Sequence, residues 1–228
     1  TVNGTSALQL ALRVAGVESG HEVLVPSVSF VATANAVANL GAIPHFCACS
    51  FPSMGLDPTQ LRLHLEKATT KTSSGLINSH TGRKISCLVP MHTFGHPCNL
   101  AELQDIARDF QIALVEDAAE SLGSFYRGQH TGTFGTAGVF SFNGNKTVTT
   151  GGGGAIITDS EAVARACRHL STTAKLDHKW EYNHDMVAYN YRMPNINAAL
   201  GCAQLEQLGE FVHRKRELYQ RYKDAFRD

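Results

Sequence analysis

The chain has 228 residues and a mass of 24.7 kDa, with 43% hydrophobic and 18% charged residues. These are proportions of one large α/β domain or two small ones, not of a disordered chain. Twenty Lys and Arg balance twenty Asp and Glu, so there is no basic footprint for nucleic acid and no charge bias towards an anionic membrane. No apolar run approaches the roughly 20 residues of a spanning helix.

The six cysteines, Cys47, Cys49, Cys87, Cys98, Cys167 and Cys202, are scattered and form no C-x-x-C pair. They are expected as free thiols in a reducing compartment, with a cytoplasmic location and neither disulfides nor zinc.

In chain order, Thr5 and Ser6 give a start signal to a helix through "ALQLALRVAG", with Leu8, Leu12 and Ala15 on one side and Gly16 as its stop. "EVLVP" is a strand, Phe30 lies in the connection after it, and "VATANAVANLG" is a helix ending at Gly41. "AIPHFCAC" is a second strand, and Pro58 opens a helix to about Lys67. "TTKTSSGLINSHTGR" is polar and is expected as an exposed loop.

"KISCLVPM" and "IALVED" are strands on either side of the amphipathic helix "NLAELQDIARDFQ". "TAGVFSF" and "GAIITD" are two more strands, followed by the helix "SEAVARACRHL", a long aromatic loop from Ser171 to Asn195, and one long final helix from Ile196. Strands alternating with helices predict a mostly parallel sheet covered on both faces, with a site at the carboxyl ends of the strands. Both ends look cut: Val2 to Gly4 resembles a strand already under way, and the last helix has no closing cap.

The stretch "FSFNGNKTVTTGGGGAIITD" places Lys146 just before four glycines. A phosphate-binding P-loop requires G-x-x-x-x-G-K-[ST] at the mouth of a helix. Here Asn145 separates Gly144 from Lys146 and a strand follows, so both spacing and context fail. Gly4-Thr5-Ser6, at a helix start, is the better phosphate cup, although such residues are more often a plain cap.

Glu116 and Asp117 end an apolar strand; Asp117 either caps the following turn or faces a cationic group. A helix-start phosphate cup, an aromatic and a carboxylate at strand ends, and a lone lysine together match the needs of pyridoxal phosphate. Its phosphate, ring, ring nitrogen and aldehyde would take them in that order. The amine must attack while neutral, whereas free lysine titrates near ~10.4.

"NGTSALQLAL", "GHEVLVPSVSFVATANAV", "VEDAAESLG", "FSFNGNKTVTTGGGGAIIT" and "YNYRMPNINAALGCAQLEQL" resemble the DegT/StrS-type sugar-nucleotide aminotransferases. The resemblance runs in order along essentially the whole chain. It implies a three-layer α/β/α, fold-type I aminotransferase large domain over residues 1–210, incomplete at both ends. Residues 211–228 would lead into a smaller C-terminal domain.

It implies that Lys146 bonds to the cofactor and shuttles the proton, and that Asp117 faces the pyridine nitrogen. Thr5, Ser6 and Ser141 would hold the phosphate and Phe30 would stack on the ring. Asn190 would reach the cofactor phosphate of a neighbouring subunit, implying a homodimer with shared sites. Glu120 stands near the cofactor's ring hydroxyl where many relatives have Gln or His.

The resemblance further implies glutamate as amino donor and a nucleotide-sugar acceptor for surface-polysaccharide synthesis. Its closest branch aminates UDP-linked 4-keto-6-deoxy-N-acetylhexosamines. The rivals are a dehydratase (lyase), in which histidine replaces the lysine, and a non-catalytic cofactor-binding fragment; retention of Lys146 opposes the first.

Gly151–Gly154 either let the backbone pass close to cofactor and sugar or only make a turn. His92 and His96 divide evenly between structural and substrate-facing roles. Arg192 either binds an anion or anchors its loop, and Trp180, Tyr182, Tyr189 and Tyr191 read as interface or loop packing.

Overall fold

The computed structural model describes residues 1–227. Its eight-stranded sheet contains β1 (Glu22–Pro26), β2 (Ile43–Cys47), β3 (Thr69–Thr72), β4 (Gly75–Asn78), β5 (Lys84–Leu88), β6 (Ala113–Asp117), β9 (Ala137–Ser141) and β10 (Gly154–Ile157). The main order is β10-β9-β6-β5-β1-β2, and β9-β6-β5-β1-β2 are parallel throughout; β10 runs antiparallel at one edge. Two short strands, β7 (Phe125–Tyr126) and β8 (Gln129–His130), form a separate hairpin.

Side chains alternate across the sheet, as a period of two requires. Val23, Val25, Cys87 and Val115 pack into one cluster with α1 (Gly4–Val14) and α2 (Val31–Ala38). Leu24, Leu88 and Leu114 pack into another with α3 (Pro58–Ala68) and α4 (Leu100–Phe110). Helices therefore cover both faces, and α5 (Glu161–Ser171) joins the first through Val163. This is the expected mostly parallel α/β architecture.

Cys47, Cys87, Cys98 and Cys167 are buried and unbridged. Burial pushes the Cys87 thiol up to about 12, which keeps it protonated and unreactive.

Three local expectations are corrected. Residues 69–78, expected as exposed loop, contain the β3–β4 hairpin, and β4 pairs antiparallel with β5. β3 is mostly exposed, so its threonines hide the strand; only Leu76 and Asn78 of β4 are buried. The single final helix is two, α6 (Asn195–Leu205) and α7 (Leu208–Ala225), with Gln207 leaving helical geometry at φ −102°, ψ 3°.

The first helix is capped by Asn3, whose Oδ1 accepts the Ser6 N–H at 2.7 Å, two residues before the Thr5-Ser6 signal. It ends at Val14, and Gly16 follows at φ 92°. Among the described residues no helix is long and apolar enough to cross a membrane.

Candidate active site

The carboxyl ends of β1, β5, β6 and β9 point to one side of the sheet, where α1 begins. Gly4, Thr5, Phe30, Met91, Asp117, Glu120, Ser141 and Lys146 line a cavity of about 300 Å³ there. It sits where the topology of an open parallel sheet places a ligand.

Asp117 is the last residue of β6 and is 6% exposed. Thr33 Oγ1 donates to its Oδ2 at 2.7 Å and the Ala119 N–H to its Oδ1 at 3.2 Å. Burial nevertheless dominates and pushes its carboxyl above the ordinary aspartate range, while these two donors, His92 and Lys146 pull the other way. A carboxyl so placed gains most from a cation brought into the cavity.

Lys146 reaches the same cavity from the loop after β9. Its Nζ is 3.1 Å from Glu120 Oε1 and 5.9 Å from the centre of the Phe30 ring. Phe30 caps α2 without a side-chain hydrogen bond and is 62% exposed, so its ring is free to lie against a ligand.

At the other end, the N–H groups of Gly4 and Thr5 have no acceptor among the described residues, leaving the positive end of α1 open to an anion. The Ser141 hydroxyl closes this end. A Cβ on Gly4 would lie 2.8 Å from Ser141 Cβ, so only glycine allows the helix start to approach β9 this closely. An anion site, an exposed aromatic face, a buried carboxyl and an amine therefore surround one space. That donor set fits the phosphate, ring, ring nitrogen and aldehyde of pyridoxal phosphate.

Six of the eight residues expected at the site, Thr5, Phe30, Asp117, Glu120, Ser141 and Lys146, meet at this cavity. Ser6 is buried in the first turn of α1 but is not on the cavity wall. Asn190 is exposed, away from the wall, and bridges to Thr172.

Glu116 and His92 are structural. Both are fully buried; Glu116 accepts the N–H groups of Gly132, Phe134 and Gly135, and its Oε2 is 3.1 Å from His92 Nε2. The glycine run is not on the wall either. Gly154 exchanges two backbone hydrogen bonds with Thr1, at 2.7 and 2.9 Å, holding the segment before α1 against β10. Tyr189 and Tyr191 stack at 4.6 Å, and the Tyr191 hydroxyl donates to Gln9 on α1, which is loop packing.

Sequence reasoning missed Asn3, Thr33 and Met91. Asn3 carried a signal, since asparagine before a Gly-Thr-Ser helix start is a cap. Met91 Sδ accepts from Ser29 Oγ and Phe30 N at 3.2 and 3.3 Å, and Thr33 reaches Asp117 across 84 residues; neither contact has a local signature.

Comparison with known proteins gives the following. The model of the family described as DegT/DnrJ/EryC1/StrS aminotransferases matches residues 1–228. GDP-perosamine synthase of Escherichia coli O157:H7 is 39% identical over 221 residues, covering 97% of this chain and 56% of that protein. EpsN of Bacillus subtilis (strain 168), provisionally named a pyridoxal phosphate-dependent aminotransferase, is 37% identical over 223 residues, covering 98% and 55%.

Among solved structures, DesI in the presence of its TDP-sugar product superimposes with a TM-score of 0.84 at 29% identity, covering 100% of this chain and 53% of that one. The chain spans about half the length of the curated relatives it matches.

Proposed function

The chain belongs to the DegT/DnrJ/EryC1/StrS aminotransferase family, and from that premise we propose that the whole protein is a pyridoxal-phosphate-dependent aminotransferase. It moves an amino group from an amino acid, glutamate, onto the keto carbon of a nucleotide-linked 4-keto-6-deoxy sugar. The observation that carries this is the convergence of Lys146, buried Asp117 and the open start of α1 on one cavity.

Bound there, pyridoxal phosphate supplies an aldehyde for covalent attachment and an electron-withdrawing ring. The residues divide the remaining work. Gly4, Thr5 and Ser141 would hold the phosphate, Phe30 would cover the ring and Asp117 would face its nitrogen; Ser6, off the wall with its N–H taken by Asn3, is left out. Lys146 is the covalent anchor and, once released by the donor, the base that takes a proton from the amino-acid carbon and later returns one. Glu120 borders the same space beside Lys146.

Residues 1–210 form the cofactor-binding large domain, and α7 leads towards a smaller one; α7 has no buried residue of its own, which supports that assignment. Asn190, exposed and off the wall, is assigned to the site of a second subunit. The sequence resemblance favoured a UDP-linked N-acetylhexosamine, whereas the relatives' names carry GDP and TDP. We therefore assign the acceptor to the class of nucleoside-diphosphate sugars. The retained lysine speaks against the dehydratase alternative.

The test uses full-length protein loaded with pyridoxal phosphate. Glutamate should bleach the absorbance of the lysine-bound cofactor and yield 2-oxoglutarate, and a 4-keto nucleotide sugar should restore it. A sugar product that has lost its C3 hydroxyl and gained no amine at C4 would mark a lyase.

Asp117→Asn is expected to keep covalent attachment while lowering turnover about 10²–10³-fold, since the charge opposite the ring nitrogen is lost. Steady-state kinetics check this; turnover within about threefold of wild type would remove Asp117 from the role.

A further inference from the structure

Resting on the assignment of Lys146 as the cofactor-bearing lysine, we propose that Glu120 is the positioning residue that holds its amine in place. The turn Thr93–Gly95 aims Glu120. The two carboxylate oxygens have separate partners: Oε1 takes Lys146 Nζ at 3.1 Å, and Oε2 accepts the Phe94 N–H at 3.0 Å.

Two donors converging on one side chain suit a glutamate better than an amide. A carboxylate accepts on both oxygens, whereas an amide offers one oxygen and turns its own N–H₂ against the second donor. Lys146 needs such a tether, because its flexible four-carbon stem does not fix the amine. Among the described residues Nζ has no other hydrogen-bond acceptor.

The turn is strained in a way its side chains do not account for. Phe94 sits in the left-handed region at φ 52°, ψ 25°, yet its ring is 76% exposed and gains little from packing. What the conformation provides is an N–H directed at Glu120. Gly95 follows at φ 83°, and a Cβ there would lie 2.9 Å from the Glu120 carbonyl oxygen, so the turn is pressed against the residue it orients.

The experiment compares full-length wild type with Glu120→Ala, Glu120→Gln and Gly95→Ala. Three quantities are read: the rate of borohydride-trappable attachment of pyridoxal phosphate, the affinity for pyridoxamine phosphate, and amide exchange at Phe94 in cofactor-free protein. Pyridoxamine phosphate has no aldehyde and cannot bond to lysine.

Attachment should slow about tenfold or more in all three variants, as misplacement of a reacting group demands. Affinity for pyridoxamine phosphate, which can lose only Glu120's own contact with the ring, should fall by a smaller factor than attachment slows. Phe94 exchange should rise in both Glu120 variants.

Attachment at the wild-type rate in Glu120→Ala, unchanged Phe94 exchange, or an equal loss of pyridoxamine phosphate affinity would overturn the proposal. Failure of the wild type itself to attach the cofactor would instead overturn the assigned function, and this proposal with it.

Discussion

Lys146→Arg should lower amino transfer about 10³-fold or more, the scale seen when the covalent residue of an enzyme is removed. Arginine keeps the positive charge and can still pair with Glu120. It remains protonated in proteins, so it can neither attack an aldehyde nor collect a proton. The substitution therefore separates charge from nucleophilicity: the fold and the cavity should survive while attachment and turnover are lost together. Stopped-flow absorbance for attachment and 2-oxoglutarate release for turnover check the two. Turnover within tenfold of wild type would remove Lys146 from the mechanism.

Glu116→Ala should give the largest loss of stability, about 3–5 kcal/mol. The Glu116 carboxyl is fully buried and accepts the Gly132 and Phe134 N–H groups at 2.7 and 2.6 Å and the Gly135 N–H at 3.2 Å. Alanine would leave those donors and the buried His92 ring without their acceptor, and each orphaned group costs about 1–3 kcal/mol.

The damage should extend to function. The 132–135 segment leads directly into β9, whose last residue is Ser141 and whose following loop carries Lys146. Denaturant unfolding of cofactor-free protein measures the loss; a change below about 1 kcal/mol would show that water or a rearranged loop replaces the carboxylate.

The contrast between Glu116 and Asp117 shows what was legible in the sequence. Both end the same apolar strand; its residues left Asp117 as either a turn cap or the partner of a cationic group, and the family resemblance chose the second. Alternation across β6 decides it: Asp117 faces the cavity, and Glu116 faces the loop that returns to β9.

The central strands were readable because they are short apolar runs between turn signals. The β3–β4 hairpin was not, because "TTKT" is a polar, mostly exposed edge strand and "GLIN" is only four residues long, with Leu76 and Asn78 buried by its pairing with β5. The break between α6 and α7 at Glu206–Gln207 has no glycine or proline to announce it.

For the four glycines the sequence left both a close approach to a ligand and a plain turn open. Gly154 is bonded to Thr1, some 150 residues away in sequence, and local spacing does not encode such a contact. Glu120 stood out only by its residue type; its two partners, Phe94 and Lys146, lie 26 residues away in either direction.

One covalent bond, from Lys146 to the cofactor, carries the proposed chemistry. Full-length protein incubated with pyridoxal phosphate, reduced with borohydride and digested should yield a single phosphopyridoxyl peptide bearing the label on Lys146, and Lys146→Arg should yield none. A label on another lysine, such as Lys71 or Lys175, or no label on the wild type, would contradict it.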